Sequence, residues 1–167
     1  MHSWRVLILP YLDQRAIYDQ YRFDEPWDGP HNRTLHELVV SAYACPSRHP
    51  HRGGATAYAA VVGPGTAWRG SSPTRIEEMA DGPGRTILVV EVAGPSIHWM
   101  EPRDLAFDGM SFAINGTGGP AAPSSRHPGG INALLADGSV RFLRQTIAPK
   151  SLRALLTVAG DDDVGEF

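Results

Sequence analysis

A chain of 167 residues that is 42% hydrophobic and 20% charged can bury a core of its own and lacks the charge excess of a disordered protein, so one domain over residues 1–167 is expected. Its net charge of −3, with 15 Lys and Arg scattered rather than blocked together, excludes nucleic acid or an anionic membrane surface as the main partner. The 18 Gly and 14 Pro predict short elements joined by long loops, and no apolar run approaches the about 18 residues of a membrane-spanning helix.

In chain order, Trp4 to Tyr21 is apolar with helical periodicity, Ser3 can cap its first turn, and Pro10 must split it, which predicts two helical pieces. The second covers about Tyr11 to Tyr21 with Leu12, Ala16 and Ile17 inward, and Tyr11, Tyr18 and Tyr21 read as core. Phe23 to Asn32 carries turn chemistry, with Trp27 plugging the loop; Asn32 caps a helix to about Val40 whose Leu35, Leu38 and Val39 face inward. Cys45, His49 and His51 are ligand types that zinc selects, but Cys-x3-His-x-His in a proline-bounded loop lacks the paired spacing of a zinc finger. The ordinary reading is a small buried thiol beside exposed loop histidines, with no native metal.

Ala57 to Gly63 reads as a strand ended by Gly63-Pro64-Gly65. Thr74-Arg75-Ile76-Glu77 has the capping-box pattern of a short helix that ends at Gly82, and Thr86 to Val92 is the most β-prone stretch, fit for a central strand. Pro149 suits the first turn of a final helix with Leu152, Leu155 and Leu156 on one face. Ahead of that helix, two alternating runs flank Asp137-Gly138. A two-residue type I′ turn there pairs Leu135 with Val140 and Ala133 with Phe142 on the core face, and Leu134 with Arg141 on the other.

Three polar sets can be weighed for chemistry. Glu91, Glu101, Asp104 and Asp108 could supply paired carboxylates, but Arg103 beside Glu101 and Asp104 favours ion pairs and turn capping. Ser125, His127 and Asp137 contain the types of a catalytic triad, yet Ser and His sit two apart in a loop without a nucleophile elbow. No catalytic residue is therefore assigned. Asp161, Asp162 and Asp163 have the oxygens calcium takes, without EF-hand spacing, so a solvated acidic tail is the simpler reading.

The stretch His127-Pro128-Gly129-Gly130-Ile131-Asn132, an apolar strand, then Ala136-Asp137-Gly138-Ser139-Val140-Arg141-Phe142 resembles the C-terminal signature of the DUF1559 family, planctomycete-type prepilin-like proteins related to type II secretion pseudopilins. Ser3-Trp4-Arg5 through Gln14, Pro26-Trp27-Asp28-Gly29, Cys45-Pro46-Ser47, Asp81-Gly82 and Thr86 through Glu91, and Trp99 through Leu105 are similar to that family's landmarks, in its order. The resemblance implies an α+β, pilin-like head: a helical N-terminal part packed on an antiparallel, hairpin-built sheet with long loops and a short C-terminal helix. It makes His127, Gly129, Gly130, Asn132, Asp137, Gly138 and Ser139 the motif residues, and His127 the first candidate for a functional polar site. Members of the family begin with a basic leader and a long hydrophobic helix, whereas here the first landmark follows Met1 almost at once, so the anchor is expected to be missing and Leu7, Ile8 and Leu9 to form an exposed, self-associating patch. Relatives also often carry a second cysteine near that helix as a mate for Cys45.

The implied function is the non-enzymatic structural or interaction head of a cell-envelope protein, with protein partners, self-association or a filament. Membrane attachment would come only through the anchor helix. No cofactor is implied beyond calcium at Asp161, Asp162 and Asp163, by analogy with the major pseudopilins. The alternative is an extracellular ligand- or glycan-binding module using Trp68, Trp99 and His127; a hydrolase ranks last.

Overall fold

The computed structural model describes residues 1–47, 53–93, 97–117, 119 and 121–160. They are α+β, with short helical pieces and a five-stranded mixed sheet, and they form two compact units: Met1–Ala57 with Ser96–Arg103, and Tyr58–Pro95 with Asp104–Phe167. His49, His51 and Asp161 to Asp163, the residues weighed for zinc and calcium, lie outside the described set.

The first unit is built from single turns. Ser3 accepts the Arg5 N–H at 3.2 Å and starts α1 (Trp4–Leu7), as its residue type predicts. Pro10 opens a 3-10 turn over Leu9–Leu12, and Asp13, left-handed at φ 56°, breaks the chain again before α2 (Arg15–Tyr18). The expected second helical piece is therefore much shorter; Leu12 and Ile17 pack inward, but Ala16 is exposed and Tyr11 is 85% exposed. Asn32 does not cap a helix. Its amide donates to the Arg22 and Pro26 carbonyls and accepts the Arg22 N–H, clamping the loop, and only a 3-10 turn (Asn32–Leu35) follows. Leu35 reaches the core, whereas Leu38 and Val39 do not. The core of this unit gathers Val6, Leu9, Tyr21, Tyr43, Trp99 and Met100, with Ile8 and Trp27 against it. Of the expected apolar patch, only Leu7 is exposed; Leu9 is fully buried.

The second unit is the sheet: β1 (Tyr58–Val62), β2 (Ile87–Glu91), β3 (Leu105–Ala106), β4 (Gly130–Leu135) and β5 (Val140–Arg144), in the order β3-β1-β2-β4-β5. β1–β2, β2–β4 and β4–β5 are antiparallel, but β3 adds parallel to β1, so the sheet is mixed rather than wholly antiparallel. One face carries Ala59, Val90, Ile131, Ala133, Leu135 and Leu143, all essentially solvent-free. Leu88 is the extra residue of a bulge between Ile87 and Val89, and the carbonyl there takes the Trp68 indole N–H at 2.8 Å. The capping box at Thr74 does not form: Ile76–Glu78 is a 3-10 turn without a side-chain cap. The final helix, α3 (Pro149–Leu155), begins at its proline and buries Leu152, Leu155 and Leu156 as expected.

The β4–β5 hairpin forms, but one residue out of the expected register. Leu134 pairs with Val140, Ala133 with Arg141 and Asn132 with Phe142. The Leu135 carbonyl accepts the Gly138 N–H at 3.0 Å and the Leu135 N–H donates to Ser139 at 2.9 Å, so the loop has three residues, Ala136, Asp137 and Gly138. A type I′ turn needs φ > 0 at both central positions, and here Gly138 (φ 84°) is left-handed while Asp137 is not. The cause is local. Asp137 Oδ1 accepts both the N–H and the hydroxyl of Ser139, at 2.9 and 2.6 Å, and the Ala136 and Asp137 N–H groups donate to the Thr86 and Pro83 carbonyls. These bonds hold Asp137 in a right-handed turn, with glycine taking the left-handed corner after it.

Candidate functional site

The first part of the signature, His127 to Asn132, meets Glu91 at the start of β4, whereas Asp137, Gly138 and Ser139 form the turn at its other end. The Glu91 carboxylate ends β2 with its side chain 4% exposed. Its Oε1 accepts His127 Nε2–H at 2.9 Å, and its Oε2 accepts the backbone N–H of Asn132 at 2.7 Å. The Asn132 amide lies 3.4 Å from both oxygens. A side-chain oxygen thus takes the strand N–H at the point where the β2–β4 pairing stops at Val90 and Ala133.

The loop before β4 is tied to the same place. Ser124 donates its N–H to the Glu91 carbonyl and accepts the Ala93 N–H on its hydroxyl, both at 2.9 Å. Ser125 donates its hydroxyl to the Gly130 carbonyl at 2.6 Å, accepts the His127 N–H at 3.0 Å, and gives its own N–H to Asn115 Oδ1 at 2.8 Å. Asn115 is one of two described non-glycine residues at positive φ. Gly129 turns the chain at φ 85°, and at Gly130 a Cβ would fall on the Leu143 carbonyl, so the close approach of β5 requires glycine there.

The arrangement is a set of hydrogen bonds around a buried acid. It can fix the loop on the sheet; it does not assemble acyl-transfer machinery. Ser125 Oγ faces backbone groups rather than the His127 ring, and Asp137 sits at the opposite end of β4, bonded to Ser139. Those Ser139 bonds hold the exposed Asp137 carboxyl below its usual range. Of the other acids weighed, Glu101 pairs with Arg103 at 2.7 Å, Asp104 accepts the Ala60 N–H at 2.8 Å, and Asp108 is exposed.

The two tryptophans named for ligand binding differ in exposure, and both indole N–H groups are bonded. Trp99 is 1% exposed and gives its indole N–H to the Leu38 carbonyl; Trp68 is half-buried, with its N–H on Leu88. Sequence reasoning missed a second cluster in the first unit. The Trp27, His36, His98 and Trp99 rings cluster: Trp27 stacks on both His36 and His98, His98 stacks on Trp99, and the His36 and His98 rings lie tilted with centroids 4.6 Å apart. His98 gives Nε2–H to the His36 carbonyl at 3.0 Å and accepts the Met100 N–H on Nδ1 at 3.1 Å, which requires the neutral ring. Burial lowers its pKa, aided by the His36 ring and opposed by the bond to the His36 carbonyl and by Glu101 and Glu37. At Gly54 a Cβ would overlap the His98 ring. The signal in the sequence was His98-Trp99-Met100, a compact run of large side chains.

The family described as "Protein of unknown function (DUF1559)" matches residues 1–73 and 96–150. No curated protein matches the chain, and no solved structure does.

Proposed function

The chain belongs to the DUF1559 family, and from that membership we propose that it is the non-enzymatic interaction head of a pseudopilin-like protein of the cell envelope. The observation that carries this reading is the bonding of the Glu91 cluster to the loop before β4. His127 Nε2, the Asn132 N–H and the Ser124 and Ser125 hydroxyls bond to Glu91 and to backbone groups, so these atoms of the cluster serve to hold loop to sheet. A general base or nucleophile needs an atom left over for substrate. The head works by presenting loops and strands to protein partners, without a resident cofactor. Among the described residues no helix is long and apolar enough to cross a membrane.

Two measurements on the native cells and the purified chain test this. The protein should fractionate with the envelope and cross-link there to other proteins. A panel of ester, glycoside, peptide and phosphate substrates should give no turnover that His127→Ala or Ser125→Ala abolishes. Turnover lost in a folded His127→Ala variant would overturn the reading.

A further inference from the structure

β5 is an edge strand of the sheet among the described residues, and its side chains and backbone are disposed for a partner. In the ladder with β4, Ser139 and Gln145 bond inward, so Arg141 and Leu143 share that direction while Val140 and Phe142 point their N–H and C=O groups outward. Among the described residues nothing pairs with these outward groups. The Val140 and Phe142 side chains, 64% and 47% exposed, lie on the sheet face opposite the solvent-free one, and the Phe142 ring leans over Gly130. Exposed Arg141 and Arg144 flank them, and neither makes an ion pair among the described residues; the acid acting on Arg141, Asp137, is already bonded to Ser139.

We propose that β5 is a docking edge for an extended acidic strand supplied by a protein partner. The added strand runs antiparallel to β5, takes the free backbone groups of Val140 and Phe142, and alternates in matching chemistry. From its N-terminus it carries an acid opposite Arg144, any residue opposite Leu143, an apolar residue opposite Phe142, an acid opposite Arg141, and an apolar residue opposite Val140. A second copy of β5 fits less well. Self-pairing about Phe142 sets Arg144 against Val140 and Arg141 against Leu143, so four arginines meet no carboxylate. This inference rests on the interaction-head reading and names the partner's chemistry.

The test uses the whole chain and a fluorescent peptide with the core Glu-Thr-Ile-Glu-Val, beside a version with Lys in place of Glu. Anisotropy should show saturable binding of the acidic peptide only, and hydrogen exchange should show slowing at the Val140 and Phe142 amides but not at Arg141 and Leu143, which β4 already protects. Val140→Pro removes an outward donor while sparing the β4 ladder and should abolish that protection. Should that variant fail to fold, Arg141→Glu with Arg144→Glu alters only exposed side chains; it should weaken the acidic peptide about tenfold and turn preference toward the Lys version. Equal binding of both peptides, binding without protection of Val140 and Phe142, or no binding would overturn the proposal. So would protection of those amides by a concentration-dependent dimer without peptide. None of these outcomes bears on turnover, so failure here leaves the non-enzymatic reading standing.

Discussion

The molecule contains two clusters centred on a histidine, and they are built on opposite principles. His127 meets a buried carboxylate, with backbone N–H groups and hydroxyls completing the set. His98 sits among aromatic rings and its own ring bonds only to backbone, donating to one carbonyl and accepting one N–H. The first cluster is polar and tolerates no missing partner, because each lost acceptor leaves a buried donor unsatisfied. The second is held by packing, with polarity confined to the ring edges. A fold can therefore fix its loops either by hydrogen-bond closure or by ring stacking, and the two respond differently to perturbation.

Truncating Trp99, fully enclosed in the packed cluster, should have the largest effect: Trp99→Ala is expected to lower stability by about 3–5 kcal/mol in urea unfolding. Glu91→Leu strands His127 and the Asn132 N–H, and should lose about 2–3 kcal/mol, while Glu91→Gln, which keeps one carbonyl acceptor, loses about 1 kcal/mol. Equal losses for Leu and Gln would show that volume, not acceptor chemistry, holds this cluster, and would erase the contrast. Gly138→Ala forces a Cβ into the left-handed corner of the hairpin and should lose about 1–2 kcal/mol.

The smallest effect is a pH dependence confined to the stacked cluster. The pKa of His98 is lowered on folding, so the unfolded chain binds the proton more readily; the stability held at neutral pH falls as pH drops below the ordinary histidine value of 6.5. Glu101 adds a later loss. Burial raises its pKa, but the Arg103 and His98 N–H bonds outweigh that and leave it below 4.5, so its contribution fades only as pH falls under that value. Thermal melts across this range should slope downward with acid, and His98→Gln should flatten the upper part of the slope. An unchanged slope would show that His98 is not the group responsible.

Much of the fold was legible. The strands at Tyr58 and Ile87, the proline-initiated last helix and the existence of the hairpin follow from apolar runs bounded by Gly and Pro. The first unit was less so: Asp13 and Asn32 end or replace expected helices through a left-handed corner and a side-chain clamp, neither visible in periodicity. Of the candidate site, His127 and Asn132 were singled out and Glu91 was noted only as one of several acids. Their meeting depends on strand register, which places Glu91 beside Asn132 across β2 and β4, and register is a property of pairs rather than of residues.

The three-residue turn at Ala136, Asp137 and Gly138 gives loop length a coding role. Were the same chain to turn on Asp137 and Gly138 alone, the second strand would slide by a single position: Val140 and Phe142 would turn toward the solvent-free face, and Arg141 and Leu143 would become the outward display. β4, with Asn132 on Glu91, would be untouched. A change between a three-residue and a two-residue turn at this corner can therefore exchange what the edge shows to the outside without disturbing the strand that anchors it.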